Sequence, residues 1–137
     1  MLEKDKKKEK DFNLSKPSEE QAKKILSEVG YGDKIAGVRM HAMAGNTKEP
    51  LGSLREVDNF LKAKAPGKLI KGQTSSVNYI DPNALSSWIK EVLGDSELAK
   101  KIEKNIDKED DYRKQAKTIR KLIEKRIKQS RELISEN

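Results

Sequence analysis

The chain reads as an α+β domain that is mainly helical, with about five helices and a short two-stranded sheet. Three observations predict this. Five stretches repeat apolar residues at helical spacing, most of them behind a recognisable start signal. Two short stretches have the make-up of strands. Hydrophobic content is 34% against 39% charged. Ordinary domains are about a quarter charged, so this core is lean, and a lean core suits amphipathic helices that bury one stripe and solvate the rest.

A length of 137 residues suits one domain plus tails. Residues 1–16 alternate Lys with Asp and Glu and have little apolar surface to offset ordering entropy. They read as a disordered charged arm, with Phe12 and Leu14 as the side chains able to dock on the body. Residues 17–137 then form a single helix-rich domain. Its first helix spans 18–29. Ser18 opens a capping box with Gln21, Ala22, Ile25, Leu26 and Val29 form the stripe, and Gly30 supplies a left-handed stop. Residues 35–43 have a weak period of two and read as a strand, with Val38, Met40 and Ala42 inward and Arg39 and His41 outward. Ala44, Gly45, Asn46 and Thr47 turn the chain.

Ser53 and Glu56 form a second capping box. Leu54, Val57, Phe60 or Leu61, and Ala65 follow as its stripe, ended by Pro66 and Gly67. Residues 74–80 read as the second strand, with Val77 and Tyr79 on one face. Asp81 is an N-cap, with Pro82 at the first helical position, where its missing N–H costs nothing. Leu85, Trp88, Ile89, Val92 and Leu93 complete an apolar face, and Gly94 stops the helix. Asp95 caps the next, with Leu98, Ala99, Ile102 and Ile106 inward. An acidic joint at 107–111 favours a new helix start. The last helix covers about 110–134, with Tyr112, Ala116, Ile119, Ile123, Ile127, Ser130 and Ile134 as its stripe.

The residues from about 35 to 134 resemble a small family of uncharacterised prokaryotic domains. The matching positions are Ser53, Leu54, Trp88, Ile89, Val92, Leu93, Gly94, Asp95, Leu98, Ala99 and Ile102. The resemblance implies the strand–helix–strand unit, the helix pair around Trp88 and the long final helix. It implies no known activity. The strand before the Trp helix in that family carries a His, an Arg and an Asp–Phe pair. Here Tyr79, Pro82, Ala84 and Leu85 stand in those places.

Composition excludes several function classes. There is no cysteine, so disulfides and thiolate chemistry are out, and a reducing, cytoplasmic setting is the expectation. No apolar run is long enough to span a membrane, and the charged N-terminus lacks the apolar segment of a secretory signal. His41 is the only histidine, and no cluster of ligands surrounds it in sequence, so neither a metal nor another cofactor is implied. A general-base role for His41 with Asp33 or Asp58 finds no support in their spacing. An outward strand histidine is the plainer account. The glycines lack a phosphate-binding pattern, and Trp88 at mid-stripe is a core anchor needing an indole partner.

The net charge of +7 sits at the ends. The arm holds +2 and residues 113–137 hold +6, which leaves the body at −1. On the last helix, Arg113, Lys117, Arg120, Lys121, Lys128 and Arg131 fall within about 100° of arc, along roughly 27 Å. Glu124 interrupts them. Such a stripe can engage an acidic protein or the phosphates of nucleic acid, although no aromatic interleaves with it to stack bases. A solvated face is the bland account. The leading expectation is therefore a non-enzymatic binding or adaptor module that uses this stripe. One alternative is a small enzyme or enzyme accessory domain with a polar cleft at Arg39, His41 and Tyr79. The other is a homodimer formed through an uncovered apolar stripe on the C-terminal helix.

Overall fold

The computed structural model describes residues 13–41, 45–63 and 76–135, with backbone alone at Met40, His41, Ala63, Ser76 and Val77. The elements are α1 (Glu19–Leu26), a 3-10 turn (Tyr31–Asp33), β1 (Ile35–His41), β2 (Gly45–Leu51), α2 (Leu54–Ala63), β3 (Ser76–Tyr79), α3 (Pro82–Glu91), α4 (Ser96–Lys108) and α5 (Tyr112–Ser135). The arm up to Phe12, residues 42–44 and the helix stop at Ala65, Pro66 and Gly67 lie outside the described residues, while Gly45, Asn46 and Thr47, expected in a turn with Ala44, open β2.

Helix starts follow local capping chemistry. Ser18 Oγ accepts from the Gln21 N–H at 3.1 Å and Ser53 Oγ from the Glu56 N–H at 3.1 Å. The Glu56 carboxylate reaches back to the Gly52 N–H at 2.7 Å. Asp81 accepts from the Ala84 N–H and Asp95 from the Leu98 N–H. Each cap satisfies a donor that a helix start leaves without an intrahelical partner. Gly94 turns the chain from α3 into α4 with φ +73, and the Asp95 N–H returns to the Ile89 carbonyl at 3.1 Å.

The first helix ends differently from the expectation. It stops at Leu26, and Gly30 is extended (φ −64, ψ 160) instead of left-handed. The Ser27 hydroxyl and N–H turn back onto the carbonyls of Lys23 and Lys24. A serine there offers the backbone an alternative to continuing the helix. The Val29 N–H is then taken by the Gly52 carbonyl at 2.7 Å, which joins this segment to the start of α2.

The sheet has three antiparallel strands among the described residues, in the order β2-β1-β3, where two were expected. β1 pairs with β2 from Ile35↔Leu51 to His41↔Gly45, and with β3 from Val38↔Tyr79 to His41↔Ser76. The unexpected strand is Gly-Asn-Thr-Lys-Glu-Pro-Leu, exposed at every residue except Leu51. It shows no apolar alternation because its side chains bury almost nothing. Pro50 is tolerated because an edge strand can forgo a donor.

The inward face of β1 is also the reverse of the expected one. Ile35 and Gly37 are buried, Ala36 is exposed and Val38 is half-buried. Arg39 stands on the core-facing side, its guanidinium carbon 5.8 Å from the Phe60 ring centre. The absence of a side chain at position 37 decides this. α2 lies so near that a Cβ on Gly37 would meet Phe60 at 2.7 Å, so only glycine lets the helix seat there. Strand alternation then carries Arg39 to the same side. In β3 the buried Asn78 donates to the Phe60 carbonyl at 2.8 Å.

The core lies between the helices. α5 packs on α1, α2 and α4, and α3 packs on α4. Leu54, Val57, Leu61, Leu85, Ile89, Leu93, Leu98, Ile102, Leu122 and Ile123 are fully or almost fully buried there. Trp88 is buried with them, and its indole N–H donates to the Asp33 carbonyl at 2.7 Å. The end of the expected arm is part of this body. Leu14 is buried, and the Ser15 N–H donates to both Glu97 carboxylate oxygens at 3.0 Å.

Candidate functional site

α5 is a 24-residue helix whose sides are used in different ways. Ala116, Ile119, Ile123, Ile127 and Ser130 are buried against the other helices, joined by Leu122 and Arg126, which the sequence reading did not place there. The middle of the apolar stripe is therefore covered within the chain, while its ends, Tyr112 and Ile134, are only partly buried.

Arg126 is 2% exposed. Its guanidinium lies 2.8 Å from Asp95 Oδ2 and 2.8 Å from Glu97 Oε1, and donates to the Ser15 carbonyl at 2.7 Å. Gln129 beside it donates to the Leu14 carbonyl at 2.8 Å. Burial alone would raise the Glu97 carboxyl, but hydrogen bonds from Ser15 and Arg126 outweigh that and hold it below its ordinary value. This cation ties the N-terminal segment to α4 and α5 and is closed to an outside partner. Its position three residues after Ile123 and four before Ser130 was the available signal.

Of the six stripe residues, Arg113, Lys117, Lys121, Lys128 and Arg131 are exposed and Arg120 is partly buried. Arg113 pairs with Asp111 at 3.4 Å. Hydrogen bonds from the Arg113 backbone and side chain hold the Asp111 carboxyl below its ordinary value. Arg120 pairs with Asp58 of α2 at 3.6 Å and Glu124 at 3.9 Å. The stripe is thus divided at Arg120 and Glu124. Its lower half, Lys128 and Arg131, meets Arg55 of α2 across a groove of about 420 Å³. Asp58, Asn59, Glu124 and Ile127 line the same groove. Burial, and then the charge of Glu124, raise the Asp58 carboxyl above its ordinary value against the pull of Arg120. Among the described residues, Lys117, Arg55, Lys128 and Arg131 have no ion-pair partner. Arg55 was not foreseen, because an exposed Arg on a capped helix carries no mark of what lies across from it.

The proposed strand cleft does not assemble from Arg39 and Tyr79. Arg39 is opposite Asn78 in register and ion-pairs with Glu49 at 3.3 Å, on the core-facing side. Tyr79 is one residue on, so it stands on the other face. Its ring packs on Tyr112 with centroids 4.6 Å apart, and its hydroxyl donates to Asp81. Burial and the Asp81 charge push that hydroxyl above its ordinary value. The Tyr112 hydroxyl accepts from the Ile80 N–H at 3.2 Å, and burial pushes it up to about 12. The backbone of His41 closes β1 between Gly45 and Ser76, and its side chain lies outside the described residues.

Among the described residues no three His, Cys, Asp or Glu side chains are grouped to hold a metal ion, and no helix is long and apolar enough to cross a membrane. No protein-family model, curated protein or solved structure matches the chain.

Proposed function

We propose that the chain is a non-enzymatic binding or adaptor module that holds an acidic partner against the exposed basic side of α5. One observation carries the reading. α5 is anchored along its length by buried residues, yet Lys117, Lys128 and Arg131 remain exposed without an ion-pair partner among the described residues. Cations that no internal acid neutralises are available to an outside one, and a rigid helix presents them without a large ordering cost.

Binding of this kind weakens as salt rises, because exposed charges are screened. Fluorescence anisotropy of labelled oligoglutamate, duplex DNA and single-stranded DNA, titrated with the full chain at several salt concentrations, tests it. Salt-sensitive binding of at least one probe is expected. Flat titrations for all three at low salt reject the function.

A further inference from the structure

Resting on the acidic-partner reading above, we infer that the groove between α2 and α5 is the docking site for an acidic peptide segment of a partner protein, with Arg55, Lys128 and Arg131 as its carboxylate clamp. These three cations come from two helices and border one concave surface. The groove has a volume of about 420 Å³ and opens broadly to solvent, which suits an extended segment lying along it. The three are exposed and have no ion-pair partner among the described residues, whereas Arg120 beside them is taken by Asp58 and Glu124.

The acids in the groove select the class of partner. Glu124 is the groove acid that a ligand can meet directly, whereas Asp58 is 8% exposed and its Oδ1 is closed to solvent. Its ion pair with Arg120 is longer than a good hydrogen bond. Glu124 stands at the same wall. A DNA backbone offers only acceptors and negative charge, so its phosphates would meet Glu124, with the Asp58 charge behind it, and bring no donor to satisfy it. A peptide brings both parts. Its carboxylates reach the arginines and the lysine, and its backbone N–H groups can donate to Glu124. Asn59 has an amide that both donates and accepts, which suits a peptide backbone, and Ile127 offers an apolar contact between the charges. A track of phosphates needs unbroken positive charge, and here Glu124 breaks it.

The test measures oligoglutamate, duplex DNA and single-stranded DNA binding for the full chain and for Arg55→Gln, Lys128→Gln, Arg131→Gln and the triple variant, with Lys117→Gln as a comparison outside the groove. Gln has nearly the helix propensity of Arg and Lys, and all four positions are exposed, so the fold is retained. Thermal melts confirm this for each variant. Each groove variant should weaken oligoglutamate binding several-fold to about tenfold, and the triple variant more, while Lys117→Gln, on the same basic side of α5 but outside the groove, weakens it by less than any groove variant. The side-chain amide signals of Asn59 should shift on peptide addition. Undiminished peptide binding in the triple variant, with loss in Lys117→Gln, overturns the groove and leaves the acidic-partner function standing on the upper half of α5. DNA binding that exceeds peptide binding and is lost in the groove variants overturns the partner class. Absence of binding to every probe removes the proposed function and this site with it.

Discussion

Arg126 and Arg131 lie on one helix, about a turn and a half apart, and are used in opposite ways. Arg126 is 2% exposed and held by Asp95, Glu97 and the Ser15 carbonyl. Arg131 is exposed at a groove where Arg55 and Lys128 carry the same charge. The two residues are chemically identical, so the difference is one of surroundings. A cation that has been desolvated must be matched by acids and carbonyls inside the chain. A cation left in water needs no match and keeps its charge for a partner. Net charge counts both alike, and only the second is open to an acid outside the chain.

The largest test of this contrast is Arg126→Met. It leaves Asp95 buried, Glu97 partly so, and the Ser15 carbonyl without its donor. Removing one member of a buried pair costs about 3–5 kcal/mol, to be read by urea denaturation. A loss below about 1 kcal/mol would show that Arg126 is as dispensable as a surface cation. Replacing Asp95 and Glu97 by Asn and Gln in the same variant should recover part of the loss, since no unpaired charge then remains.

A second test asks whether burial governs other groups of α5. The Tyr112 hydroxyl has its value raised from 10.0 to about 12. The folded state therefore holds its proton over a range where the unfolded chain has lost it. That contribution is complete below about pH 10 and lost as pH rises to about 12, a fall of roughly 2–3 kcal/mol. Denaturation across this range should show the fall in the native chain and less of it in Tyr112→Phe.

The Glu97 contact is smaller. Its carboxyl is held below the ordinary 4.5, so its contribution is present above that value and lost as pH falls through the lower folded one. Hydrogen exchange at the Ser15 amide should quicken over that acid range. Glu97→Gln should bring faster exchange already at neutral pH and cost about 1 kcal/mol. Unchanged protection at Ser15 in Glu97→Gln would separate the N-terminal segment from the Arg126 network. The smallest effect is expected at the groove. Lys128→Gln and Arg131→Gln should alter stability by no more than about 0.5 kcal/mol, and a larger loss in thermal melts would make these cations part of the fold.

Much of the helical frame was legible residue by residue. Ser18, Ser53, Asp81 and Asp95 cap as their side chains imply, Gly94 takes the left-handed turn, and Trp88 finds a carbonyl for its indole. The strands were less legible. β2 buries only Leu51, so it leaves no alternation to read, and β1 has Gly37 inward where Val38 was expected. Of the candidate site, the basic stripe of α5 was visible as a period. Its division at Arg120, its extension to Arg55 and the separate fate of Arg126 were not.

The boundary follows from how far each interaction reaches along the chain. Caps, turns and helical stripes depend on residues within three or four positions, so the sequence by itself determined five helices, most of their starts and the concentration of charge on the last one. Pairing between distant elements was decided only by tertiary structure. Arg126 meets Ser15 across a separation of 111 residues, and Asp58 meets Arg120 only because α2 lies against α5. Which cations hold the fold and which remain open to a partner is set by those contacts. No local period of charge records them.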